Sequence, residues 1–195
     1  AQLFQEEMIS GAEASLTPHK IPFDKKTSTP ANLPDQMAED WQLLDDLLMH
    51  GDRHKRNYLL KLDAEKNITG LALIDNGLSL TADLTVMNKR FKGPREGGPM
   101  GAINQERLRQ FIDHESSLTL TLTQWLEPAA IQGLLARAKA LLERRRYGNF
   151  LQSEIDPHLP AEWRAKKSCI PQGFRPGEAP AKSQNRRGRT SSTEH

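Results

Sequence analysis

Two short stretches of this sequence hold side chains that could do chemistry together. The first is His50-Gly51-Asp52-Arg53-His54-Lys55-Arg56-Asn57, and the second is Leu73-Ile74-Asp75-Asn76-Gly77. Moving a phosphoryl group from a nucleotide to a hydroxyl needs a carboxylate near the attacking oxygen. It also needs oxygen ligands for a Mg2+ ion that bridges the phosphates, and positive charge against the transferring group. Asp52 is the candidate carboxylate. Asn57, five residues further on, and Asp75 offer hard-oxygen ligands suited to Mg2+. His50, Asp52, His54 and Asp75 also contain the Asp-x-His spacing of a metal hydrolase. No further histidine motif supports that reading, since His19, His114, His158 and His195 are scattered.

For Asp52, Asn57 and Asp75 to meet, the chain must turn back between them. Tyr58-Leu59-Leu60-Lys61-Leu62 and Leu71-Ala72-Leu73-Ile74 are apolar runs separated by the polar Asp63-Ala64-Glu65-Lys66-Asn67, which predicts a β-hairpin. A strand leaving Asn57 and another returning to Ile74 would carry Asp75 back beside the first motif. Ahead of the loop, Met37, Trp41, Leu44 and Leu48 follow Pro34-Asp35 at helical spacing, with Asp45 and Asp46 off that face. This predicts a helix to about Met49 with Trp41 in the core. After the hairpin, residues 78–102 lack periodicity and contain Gly93, Gly97, Gly98 and Gly101, a long loop of the kind that usually carries function or stays disordered. Asn104 is placed to cap a short helix bearing Leu108, Phe111 and Ile112. Glu127-Pro128 opens another with Ile131, Leu134, Leu135, Ala138, Leu141 and Leu142 on one stripe, ending in Arg144-Arg145-Arg146. Between these helices, Leu118-Thr119-Leu120-Thr121-Leu122 alternates strictly, as a strand would, at a place where a helix is also admissible.

Gly-Asp-Arg-His-x-x-Asn at residues 51–57, followed by Ile-Asp-x-Gly at 74–77, resembles the catalytic segment of the phosphatidylinositol 3-/4-kinase-related superfamily of atypical kinases. The resemblance is sharp over residues 49–80 and faint to about Gly148. It implies a base role for Asp52, contact of His54 with the transferring phosphate, and metal binding by Asn57 and Asp75, with ATP and Mg2+ as cofactors. Asn76 stands where such kinases usually have Phe; Asp-Asn-Gly is similar to type II phosphatidylinositol 4-kinases. Arg53, Lys89, Arg90 and Lys92 are the candidate phosphate- or substrate-binding cations, and Arg95 extends the basic cluster that follows Asp75. The acceptor would be a hydroxyl of a protein or of a phosphoinositide. Residues 1–49 contain neither a glycine-rich phosphate loop nor a strand lysine, so an N-lobe is expected to be absent from this chain, supplied elsewhere or by a partner. A catalytically inactive kinase-like module binding an anionic partner through the basic loop is the alternative.

The expected fold is therefore α+β and mainly helical, a kinase-like C-lobe with a catalytic β-hairpin. Residues 1–34, punctuated by Pro18, Pro22, Pro30 and Pro34, are expected to be irregular, 35–150 to form the lobe, and 151–195 to be a disordered basic, proline-rich tail. Of the 195 residues 36% are hydrophobic and 27% charged, which allows one core of ordinary size. A net charge of +2 gives no whole-molecule case for nucleic acid. The single cysteine, Cys169, excludes a disulfide within the chain and a cysteine-based zinc site. No apolar run approaches the roughly 18 residues of a membrane span, and the polar first residues do not read as a signal peptide.

Overall fold

A computed structural model describes residues 8–16, 20–50, 52–76, 92–148 and 150–167. The chain is α+β: helices dominate, and one small antiparallel sheet stands beside them. The predicted hairpin is present as β2 (Tyr58–Leu62) and β3 (Ile68–Leu73), paired antiparallel with Tyr58 opposite Leu73. Its turn is closed by Asp63, whose carboxylate accepts from the backbone and side-chain amides of Asn67. Those bonds hold the Asp63 carboxyl below its ordinary range.

Residues 1–34 are not wholly irregular. Met8–Ser10 forms β1, which pairs with β2 and completes a sheet of order β1-β2-β3. Ser10 and Glu13 then make a reciprocal capping box at the short helix α1 (Gly11–Ala14). Ala14 and Ile21 are buried with Trp41, Tyr58, Leu60 and Ile68, so this early segment contributes core as well as loop.

The helix expected after Pro34 is α2 (Asp35–Leu48), and Trp41 is buried as predicted. It lies between two apolar clusters. Trp41 and Met37 face the sheet, while Leu43 and Leu47 join a helical cluster. That second cluster is built by α3 (Ala102–Asp113), α5 (Pro128–Arg144) and the segment after it, through Leu108, Leu141, Tyr147, Phe150, Ile155 and Leu159. Helix α3 starts one turn earlier than its predicted cap: Gly101 is the N-cap. Asn104 is fully buried inside the helix, where its amide donates to the Tyr147 hydroxyl at 3.0 Å. Pro128 opens α5 as expected, and Arg145 ends it in the left-handed region.

The alternating Leu118–Leu122 stretch is helix α4 (Glu115–Leu122). Ser117 and Thr121 hydroxyls donate to carbonyls one turn back, which satisfies them without a sheet partner. Trp125 beyond it is largely exposed. The tail expected from 151 onward also begins as structure: α6 (Gln152–Ile155), a 3-10 turn (Asp156–His158) and α7 (Ala161–Lys167). Ile155 and Leu159 are buried and Trp163 packs against them, a spacing of four that the intervening prolines mask. Pro157 sits at the start of the 3-10 turn and Pro160 just before α7, positions that proline favours. Cys169 lies outside the described residues. Among those residues no helix is long and apolar enough to cross a membrane.

Candidate active site

The loop that carries the first motif hangs from the C-terminus of α2. Met49 takes the left-handed conformation (φ 53°) that stops the helix, and the His50 amide donates back to Asp45 at 2.9 Å. The loop then closes on itself. His54 N donates to Asp52 O (3.0 Å), Asn57 N donates to His54 O (2.9 Å), and the Asn57 side-chain Nδ2 donates to Asp52 O (2.9 Å). That last bond fixes the amide of Asn57, with Oδ1 as the end left to accept or ligate.

The two motifs meet through the backbone. Ile74 N donates to Asn57 O at 3.0 Å, one step beyond the Tyr58–Leu73 pair. Asp75 follows at φ 53°, in a left-handed conformation that costs a non-glycine residue about 1–2 kcal/mol. Its carbonyl is held by His50, which is 2% exposed, with Nε2 3.0 Å from Asp75 O. The tautomer follows from the other ring nitrogen. Asp52 N donates to His50 Nδ1 (3.3 Å), so Nδ1 is the acceptor and Nε2 carries the proton given to Asp75. One buried imidazole thus joins the backbone of the candidate base to that of the candidate metal ligand.

Arg53 completes the frame, and here the expectation of a phosphate- or substrate-binding cation is corrected. The guanidinium is 5% exposed and every one of its N–H groups has an acceptor. Nε and Nη2 reach Asp45 (3.1 and 2.8 Å), Nη1 reaches Asn57 O and Ile74 O (both 2.6 Å), and Nη2 also reaches Asn76 Oδ1 (2.7 Å). An arginine with no donor left over acts as scaffold. Asp45, 2% exposed, also accepts from Trp41 Nε1 at 2.7 Å, so the ion pair is fully partnered inside the protein.

Asp52 and His54 remain at the surface, with side chains about a third exposed and Nε2 of His54 3.8 Å from Asp52 Oδ2. Arg56 N donates to His54 Nδ1 (3.2 Å), which leaves the proton on Nε2, the nitrogen beside Asp52. Asp75 and Asn76 are exposed. The arrangement leaves two carboxylates, of Asp52 and Asp75, and an imidazole N–H at the surface of one braced loop pair, while Asn57 is buried at 5% exposure. Among the described residues no group of three or more His, Cys, Asp or Glu side chains is placed to hold a metal ion. Lys92 is exposed, and Lys89, Arg90 and Gly77 lie outside the described residues.

Sequence reasoning missed three members of this frame. His50 enters the sequence reading only in the metal-hydrolase alternative, Asn76 only for the Phe it replaces, and Asp45 only as a residue off the apolar face of its helix. The available signal for Asp45 was Trp41 four residues earlier, an indole donor one helical turn away. Compared with known proteins, the chain matches no family model and no curated sequence.

Proposed function

We propose that this chain carries the catalytic C-lobe of an ATP-dependent kinase-like phosphotransferase. One observation supports the reading above the rest. Two motifs, with Asn57 of the first and Asp75 of the second 18 residues apart, each incomplete for phosphoryl transfer, are joined by two independent buried bridges, His50 to the Asp52 amide and Asp75 carbonyl, and Arg53 to Asn57, Ile74 and Asn76.

Asp52 orients an acceptor hydroxyl and takes its proton as the acceptor oxygen bonds to the γ-phosphorus; the bond from that phosphorus to ADP breaks and ADP leaves. His54 Nε2–H donates to the transferring group. Asn57 Oδ1 and the Asp75 carboxylate would hold Mg2+, whose usual protein share is one or two carboxylates with phosphate and water completing the shell. The fit rests on the amide that the Asp52 carbonyl orients and on the exposed, backbone-pinned Asp75. When bound, the ion neutralises charge on the nucleotide phosphates. The acceptor is a hydroxyl of a protein or of a phosphoinositide.

The test is Mg2+-dependent ATP binding and turnover in the full-length protein. Asp75→Ala should abolish both. Asp52→Asn should keep binding and lower turnover by about 10²–10⁴-fold, the usual weight of a general base. Retained turnover in Asp75→Ala removes that residue from the site. A wild-type protein that binds no nucleotide in the presence of Mg2+ favours the inactive interaction module.

A further inference from the structure

We infer that Gln42 is a positioning residue that sets where the basic segment Lys92–Arg95 stands, independently of the nucleotide-side residues; the inference rests on the phosphotransferase reading. Gln42 projects from α2 and is fully buried. Its Oε1 accepts from Arg95 N at 3.1 Å, and its Nε2 donates to Asp46 Oδ1 (2.9 Å) and Glu96 Oε2 (3.2 Å). The amide is thereby fixed in one orientation, with its acceptor end toward the returning chain. Gly93 packs directly on it: a Cβ there would stand 2.0 Å from Gln42 Oε1.

Three residues along the same helix is Asp45, the partner of Arg53, which holds Ile74 and Asn76. Residues 42 and 45 are about 4.5 Å apart along the axis and neighbours on the helix surface. The chain that leaves at Asn76 is therefore held, on its return at Gly93, by a residue about one helical turn from the one that anchors its departure through Arg53. The 16 intervening residues could span roughly 50 Å if extended, so nothing in their length imposes this. Two separate buried contacts impose it. Asp45–Arg53 serves Asn57 and the Asp75 strand end, and Gln42 serves Arg95 and, with it, the segment from Lys92. Arg95 is also tied by its guanidinium to Asp35 at the start of α2. The split predicts that nucleotide binding and acceptor binding can be perturbed separately from one helix.

The experiment compares the full-length protein with Gln42→Leu, which keeps volume and removes the amide, and with Gly93→Ala, which leaves Gln42 intact and displaces the segment. Dephosphorylated casein serves as an acidic acceptor. In both variants KM for casein should rise about tenfold, the factor corresponding to one ordinary hydrogen bond, with KM for ATP unchanged. Hydrogen exchange should quicken in residues 92–98 and not in 52–57 or 73–76. A merely structural role would lower the active fraction, and so kcat, without moving KM. Unchanged casein KM in both variants overturns the assignment. If the unsubstituted protein binds Mg2+-ATP but does not phosphorylate casein, the exchange pattern decides: spread into 52–57, or no change, overturns it. Absence of Mg2+-dependent ATP binding in the unsubstituted protein instead overturns the phosphotransferase reading itself.

Discussion

Replacing Arg53 by Met distinguishes a scaffold arginine from a phosphate-binding one. The substitution keeps an unbranched chain and deletes the guanidinium, stranding the Asp45 carboxylate at 2% exposure with Trp41 Nε1 as its remaining described side-chain partner. Removing one partner of a buried ion pair costs about 3–5 kcal/mol. Against a domain stability of about 5–15 kcal/mol, that is a loss of roughly 10²–10⁴ in the folding equilibrium. Converting the pair together, Asp45→Leu with Arg53→Met, removes the stranded charge. What remains is the cost of the buried Trp41 Nε1–H, which loses its acceptor, about 1–3 kcal/mol, besides the carbonyls of Asn57 and Ile74 that lose a donor in both variants. The double variant should therefore be more stable than the single one, while both lose turnover, because Ile74 and Asn76 are no longer held. Urea unfolding followed by circular dichroism measures the first quantity and Mg2+-dependent ATP turnover the second. A single variant that loses under about 1 kcal/mol and shows only a raised KM for ATP would refute the scaffold reasoning and restore Arg53 to the phosphates.

Two further outcomes follow from the packing. The chain has two tyrosines, and burial pushes both Tyr58 and Tyr147 well above the ordinary phenol value near 10. Both should stay neutral in the folded protein through pH 10, so their contribution to stability is full below that pH and falls above it, as only the unfolded chain ionises. Absorbance at the phenolate band should rise only with alkaline unfolding, and a separate step near pH 10 in folded protein would contradict this. Truncation after Ile155 removes Leu159, 2% exposed, and the packed Trp163; burying one such apolar side chain is worth about 1.5–3 kcal/mol. Thermal unfolding should fall by many degrees relative to truncation after Lys167, and equal midpoints would show that α7 does not dock.

How much of this was legible depended on whether the pattern was local. The hairpin, α2 and the start of α5 follow from runs, spacings and a Pro at a first helical position, all within about 15 residues. The misread segments are those where the partner is distant. Met8–Ser10 is a strand because β2 offers it an edge, and three residues carry no periodicity of their own. Leu118–Leu122 alternates like a strand but has no neighbouring strand among the described residues, and the Thr121 hydroxyl is satisfied by a helical carbonyl. Ile155, Leu159 and Trp163 read as isolated in a polar, proline-marked stretch because the surface they cover belongs to the helical cluster built largely by α5.

The candidate site divides along the same line. Asp52, Asn57 and Asp75 could be named from types and spacing, because a loop and a hairpin suffice to bring their backbones together. What holds them could not, because it depends on which polar side chains are buried. On α2, Gln42, Asp45 and Asp46 are each at most 2% exposed, although a helical wheel places them beside an apolar stripe as ordinary solvent-facing residues. They are buried because three chain segments cross that edge of the helix: Arg53 from the loop, Arg95 N from the returning chain, and Gly148 N, which donates to Asp46 Oδ2 at 2.7 Å. A buried polar edge of this kind stabilises little compared with an apolar one, and the advantage attested for such groups in some proteins is specificity of arrangement. For α2 that advantage has a definite content. Each contact names one segment and one register, so the helix that ends at the His50–Asn57 loop also fixes where the rest of the fold meets it.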